Sequence, residues 1–228
     1  MSDDAGTQRQ PPTARVWDIS VRVFHWLLVA LIVVSFTTAQ IGGNAMRIHE
    51  FSGFSILTLV LFRVLWGIFG STYARFSDFL RHPRQAIEYA KSLRRGQPPF
   101  YAGHNPLGGW MIVALLLCLL VQTGTGLFAN DDVMTEGPLF DWVSKRTSDI
   151  LSRLHEINFY VLLTLITLHV AAALYYLWAK RENLILPLFT GRKQVRQAQA
   201  VLEAQGGPLW LALLLLAVCA IGVYLLVR

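Results

Sequence analysis

Two histidines, His155 and His169, stand fourteen positions apart in the stretch Leu154–Lys180, which is apolar enough to cross a bilayer. Fourteen residues of α-helix rise about 21 Å and turn through about 1400°, about 40° short of four full turns. Both imidazoles therefore leave one face of one helix, at two depths on either side of the membrane's middle. An ionisable side chain inside a spanning helix is expensive and marks function, with a partner to be named. His25, in FHWLL at the start of the first apolar run, and His49, in RIHEF at the start of the second, are the candidate partners. Four histidines on three helices, paired at two levels, suit two b-type haems with two axial imidazoles each.

The elements that must carry them are spanning helices. The chain has 228 residues, is 54% hydrophobic, and shows five apolar stretches at about 24–41, 50–70, 107–128, 155–179 and 208–227. Each matches the roughly 20 residues that cross a hydrocarbon layer of about 30 Å. Only short polar connections remain, so no separate soluble domain fits. The expected fold is an all-α integral membrane protein: a four-helix transmembrane bundle holding two haems b, plus a fifth transmembrane helix. Residues 1–14 are expected to form a disordered cytoplasmic tail and 15–190 the four-helix di-haem domain. A polar surface helix is expected over 191–205 within a 191–207 linker, and 208–228 is the additional helix. The first 23 residues are polar, contain Pro11-Pro12 and lack the apolar core of a secretory signal. The first spanning helix is thus expected to act as its own uncleaved targeting signal.

The formal charge of +6 resembles a nucleic-acid signal until the charges are placed along the chain. The amino-terminal segment, the 71–106 loop and the 179–207 loop hold fourteen Lys and Arg, whereas the 42–50 loop, the 129–154 loop and the carboxyl-terminal end hold five. Excess Lys and Arg mark cytoplasmic segments. The expectation is a multi-pass protein of a bacterial inner membrane, amino terminus cytoplasmic and carboxyl terminus periplasmic, with lipid rather than nucleic acid around it. Depth then pairs His25 with His169 near the cytoplasmic face and His49 with His155 near the outer face.

Other positions carry weaker signals. Arg63 lies deep in the second apolar run, where a guanidinium either meets an anion, such as a haem propionate, or snorkels to the surface. Pro83 can open a short amphipathic helix over 84–95. Gly124 and Gly126, late in the third spanning helix, allow another group to approach the backbone closely. His82 reads as a surface residue, and His104, in GHNPLGG, as structural or close to a quinone or propionate. Cys118 and Cys219 sit in the middle of apolar runs, with no CxxCH for covalent haem and no CxxC pair. They read as buried apolar side chains, so any haem is held by axial ligands and packing. His49-Glu50 and His155-Glu156 begin like HExxH, but positions 53 and 159 are Gly and Phe, so the zinc-protease motif is absent. No acidic residue lies deep in the apolar runs to make a proton relay.

The segments RVWDISVRVFHW, FRVLWGIFGSTYARFSDF and YAGHNPLGG, with the H-x13-H of the fourth spanning helix, resemble the bacterial di-haem cytochrome b family. That family includes the b-type subunits of nickel–iron hydrogenases, the gamma subunit of formate dehydrogenase and the cytochrome b-561 type. The resemblance covers about residues 15–190 and implies a four-helix core, two haems b, and electron transfer between a quinone pool and a redox partner. It makes His25, His49, His155 and His169 the axial ligands. The chain would be an electron-transfer subunit of an oxidoreductase rather than a stand-alone enzyme. Its partner would be a c-type cytochrome or an iron–sulfur or other redox subunit. Arg22 and Arg63 are candidate propionate partners, and His104 and Asn105, with Arg22, a candidate quinone site. The fifth helix departs from the usual four and suits docking or oligomerisation. A second function class is a membrane anchor whose haems mainly stabilise the fold; reduction by a quinol analogue separates the two. A third, metal or ion transport through intramembrane histidines, would require transport by a haem-free preparation.

Overall fold

The computed structural model describes residues 13–133, 135–195 and 203–228. The chain opens with a short strand, β1 (Thr13–Arg15). Helix α1 (Ile19–Ile41) starts at Asp18, whose carboxylate accepts Val21 N–H at 2.8 Å and so fills one of the orphan donors of the first turn. The helix begins five residues before the apolar run does, because this cap, and not hydropathy, sets its start. His25 therefore lies in the second turn. At the far end Gly42 adopts φ +69°, a left-handed value that suits glycine and stops the helix.

Helix α2 (Met46–Phe69) follows a short 3-10 turn, and α3 (Phe76–Phe79) is a single turn. Helix α4 (Pro83–Arg94) carries proline in its first turn, as the sequence suggests, and His82 is its cap, accepting Arg84 N–H at 3.3 Å. Helix α5 (Pro106–Gly126) is capped by Asn105, which accepts Gly108 N–H at 2.8 Å. Helix α6 (Lys145–Ala179) has 35 residues, about 52 Å at 1.5 Å per residue. It is ten residues longer at its start than the apolar run. Its polar opening turns extend beyond the hydrocarbon layer and are tied to the preceding loop: Ser148 donates to Phe128 O at 2.6 Å, and Ser152 accepts Asn130 N–H at 2.9 Å. A turn of helix, α7 (Leu186–Thr190), precedes β2 (Arg192–Gln194), and α8 (Leu209–Leu226) closes the chain. Helices α1, α2, α5, α6 and α8 are all long and apolar enough to span.

Two expectations need correction. Arg192–Gln194 is not the opening of a polar helix but a strand, antiparallel to β1 with Ala14 opposite Lys193. Glu203–Gly207 is not helical either, and residues 196–202 lie outside the described residues. Of the tail expected to be disordered, Thr13 and Ala14 belong to β1, while 1–12 lie outside the described residues. The polar composition of both segments hid a pairing between residues about 180 apart in sequence.

Helix α2 is the centre of the bundle. It packs against α1, α5 and α8, while α6 packs on α5. Half of the apolar window of α2 is buried, against 11% for α1 and for α6. Val60 and Trp66 of α2 anchor the main core with Phe24, Leu116, Leu119 and Leu162. Helix α8 runs antiparallel to α2: Gly207 lies against the Trp66 ring, and Val223 clusters with Leu57. The fifth helix is thus part of this chain's own bundle. The exposed Leu, Val and Ile of α1, α6 and α8 form the face that lipid tails cover.

The three lysine- and arginine-rich segments gather at one end. Beyond the strand pair, Ala204 N–H donates to Arg15 O at 2.8 Å and Thr72 N–H to Gln205 O at 3.2 Å. Lys193, only 7% exposed, donates to Tyr101 O at 2.9 Å and pairs with Glu182 at 2.8 Å. This basic end holds the start of α1 and the end of α6.

Candidate haem sites

At the end away from the basic segments, His49 of α2 and His155 of α6 face each other with ring centroids 6.3 Å apart and planes crossed at 77°. Each ring is held from behind. His49 Nδ1 lies 2.9 Å from Ser35 O, and His155 Nδ1 lies 2.9 Å from Gln122 O. A carbonyl oxygen only accepts, so each Nδ1 carries the proton and each Nε2 keeps its lone pair. Two imidazoles that shared one metal ion, each nitrogen about 2 Å from it, would place their centroids about 6 Å apart. The observed pair has that spacing, and the Nε2 atoms make no hydrogen bond among the described residues.

Around this pair lies a cavity of about 600 Å³ between α1, α2 and α6, lined by Ile32, Phe36, Gly53, Leu57, Phe159 and Leu163 among others. It is in the size range of cofactor sites and largely apolar, as a non-covalent porphyrin requires. Two glycines make the room. A Cβ on Gly53, one turn beyond His49, would meet nothing within 4 Å, because it would stand in the cavity. A Cβ on Gly126 would come within 3.0 Å of His155 Cε1, so glycine lets the ring approach α5. Gly124, by contrast, has no neighbour there. The residues at this level fit a haem with two axial imidazoles. Among the described residues no group of three His, Cys, Asp or Glu could hold a metal ion unaided.

At the basic end His25 of α1 and His169 of α6 lie within electrostatic reach of each other. His25 Nδ1 is buried without a hydrogen-bond partner among the described residues. Two more such atoms lie in this end: Arg63 Nη1 and His104 Nδ1. Arg63 does not snorkel. It is 3% exposed, and its guanidinium carbon lies 5.6 Å and 5.9 Å from the Phe76 and Phe79 ring centroids. His104 sits between Trp17 and Phe79, with centroids at 4.6 Å and 5.0 Å. Burial, with the Arg63 charge second, holds its imidazole down to about 3, so it is neutral. Three unpartnered buried polar atoms at one end are what a site for a polar-edged group looks like when only the protein is considered.

Arg22 and Asn105 are already engaged. Arg22 Nε donates to Leu188 O at 3.4 Å, and its Nη2 to Phe189 O, at the end of α7. Asn105, besides capping α5, donates through Nδ2 to the Tyr176 hydroxyl at 3.1 Å, which bonds the Tyr89 hydroxyl at 2.6 Å. Sequence reasoning missed Ser35 and Gln122, which act through backbone carbonyls that no side-chain pattern reveals. It also missed Asn158, which holds the Gln122 side chain at 2.7 Å.

The family model of prokaryotic cytochrome b561 matches residues 16–191, which is most of the chain and includes all four histidines. A probable Ni/Fe-hydrogenase B-type cytochrome subunit of Bradyrhizobium diazoefficiens is 23% identical over 81% of this chain and 87% of that relative. The protein of the same description from Rhodobacter capsulatus is 23% identical over 84% of this chain and 85% of its own length. No solved structure matches. The chain is a multi-pass membrane protein and belongs to the prokaryotic cytochrome b561 family.

Proposed function

We propose that this protein carries electrons across a bacterial inner membrane through two haems b, held by His49/His155 at the outer level and His25/His169 at the basic level. The observation that carries the reading is the 6.3 Å separation of the His49 and His155 rings, with both Nδ1 protons taken by carbonyls and neither Nε2 hydrogen-bonded among the described residues. A haem under two imidazoles supplies reversible one-electron chemistry with no open coordination position. The chain's residues do the rest. Ser35 O and Gln122 O fix the tautomer and orientation of the outer rings, and Phe36 and Phe159 exclude lipid and water. Arg63 offers a buried donor to a propionate at the basic level.

One end of the path meets quinone and the other a redox protein, in keeping with relatives described as hydrogenase cytochrome subunits. The fourteen-to-five bias of Lys and Arg supports a cytoplasmic basic end and a periplasmic carboxyl terminus. Quinone is placed at the basic end beside His104, where the imidazole is neutral and its Nδ1 free to bond a carbonyl or hydroxyl head group. Asn105, engaged on both sides, positions that corner.

The test is absorption and electron paramagnetic resonance of the four single His→Ala variants. His25→Ala and His169→Ala should lose one low-spin haem, and His49→Ala and His155→Ala the other. Combining both members of a pair should add little, because a pair acts as one unit. A histidine whose removal leaves two low-spin haems is not a ligand, and a shared loss between His25→Ala and His155→Ala would break the pairing.

A further inference from the structure

Asn158 is 8% exposed and lies in the apolar stretch of α6, one turn beyond His155. Its side chain is engaged at both ends. Nδ2 donates to Cys118 O at 2.9 Å and to Gln122 Oε1 at 2.7 Å, and Oδ1 accepts the Cys118 Sγ–H at 3.2 Å. A backbone carbonyl only accepts, so the contact with Cys118 O fixes which way the amide is turned. Cys118 and Gln122 stand four apart on one face of α5, and His155 and Asn158 three apart on one face of α6. The two helices thus meet through two rungs. Asn158 Nδ2 donates to Cys118 O, and His155 Nδ1, 2.9 Å away, to Gln122 O. Gln122 joins the rungs, because its side chain takes Asn158 and its carbonyl takes His155.

Helix α6 has little else to set its rotation here. Only 11% of its apolar window is buried, and α5 is the helix it packs on. Apolar side chains distinguish one register from the next poorly in a bilayer, since lipid tails are as apolar as a neighbouring helix. The ties at the two ends of α6 go to the loop before it and to Asn105, the cap of α5. Among the described residues, every side-chain hydrogen bond between α5 and α6 themselves involves His155 or Asn158. A slip of one residue would turn the face of α6 by about 100° and carry His155 away from His49. A buried amide that is satisfied in one register only specifies that register, as a single buried Asn does between paired helices. Resting on the reading of the outer level as a haem site, we propose that Asn158 is a positioning residue for His155. It pins α6 on α5 so that the imidazole meets Gln122 O and keeps its plane crossed at 77° to that of His49. Donating its Nδ1 proton makes His155 a more basic ligand, which favours ferric iron.

Asn158→Leu keeps the branched shape of the side chain and removes its donors, and the purified holoprotein is the sample. The low-spin signal that His155→Ala abolishes should shift its largest g value in Asn158→Leu, because the angle between the two ligand planes sets that value. The midpoint of the same haem should rise by at least a threefold change in the one-electron equilibrium, about 28 mV. Asn158→Gln, which retains an amide, should lie closer to wild type on both readings. Leu116→Ala, a truncation in the main core on α5 that breaks neither rung, should lower the thermal midpoint and move neither reading. An unchanged g value and midpoint in Asn158→Leu overturn the proposal, however far stability falls, and so does an equal shift in Leu116→Ala. Loss of the outer haem alone in Asn158→Leu supports it. If Asn158→Leu does not assemble, Asn158→Ser, whose short hydroxyl cannot reach both acceptors, decides by the same two readings. A wild-type preparation without a low-spin signal that His155→Ala abolishes defeats the haem reading itself, whereas an outer haem indifferent to Asn158 defeats only this assignment.

Discussion

Phe36 of α1 and Phe159 of α6 stack with ring centroids 5.7 Å apart and planes 8° from parallel. Both rings line the outer cavity, and they close the seam between two helices that otherwise touch little. A truncated phenylalanine in such a place costs about 3–5 kcal/mol of packing. Phe159→Ala should therefore release haem from the outer level faster, by at least tenfold, with the basic-end haem retained. Haem transfer from the detergent-solubilised protein to an apoglobin, followed by absorption, measures both.

The glycines give a matched pair of substitutions. Gly126→Val should displace His155, because the added Cβ starts 3.0 Å from its Cε1, and one low-spin haem should disappear. Gly124→Val, two residues away and facing open space, should leave both haems in place. Gly53→Leu should also empty the outer level, by filling its cavity rather than by moving a ligand. Haem-to-protein ratios of the three variants check this.

Asn105 works at both ends of its side chain, and the two roles separate. Asn105→Asp keeps a capping oxygen for Gly108 N–H but loses the Nδ2 donor to Tyr176, whereas Asn105→Ala loses both. The cap is worth about 1 kcal/mol. Thermal unfolding in detergent should rank wild type above Asn105→Asp, and Asn105→Ala lowest.

His104 makes stability depend on acid. Its imidazole is held by burial at about 3, below the ordinary 6.5, so protonation favours the unfolded chain. Its stabilising contribution is complete above about pH 6.5 and is lost as the pH falls towards 3. From pH 7.5 to pH 5 one such group costs about 2 kcal/mol. His104→Asn should flatten that part of the stability profile relative to wild type, read as the difference between their unfolding midpoints at pH 7.5 and pH 5.

Sidedness is checked with reporters. A periplasm-dependent reporter fused after Arg228 should be active and one placed in the 71–106 loop inactive. The opposite result would invert the membrane orientation and the sidedness of both haem levels.

The sequence by itself determined the spanning helices, because about 20 apolar residues in a row have no other stable environment. It also determined the four histidines, because polar groups are conspicuous against such a background. The fourteen-residue interval from His155 to His169 is read from helix geometry alone, and so is the amphipathic Pro83–Arg94. Tertiary structure decided everything that depends on who sits behind whom. The start of α1 moved to Ile19 because Asp18 caps it and binds Trp66 and Ser71 from distant segments. Residues 192–194 became a strand because Thr13–Arg15 offered an edge, a partner invisible to local composition. The fifth helix, legible as a span, found its place on α2 only through packing with Trp66 and Leu57. The hold on the outer histidine rings rests on backbone carbonyls at Ser35 and Gln122. Every residue has such a carbonyl, and in a helix only the fold frees one to accept a second proton.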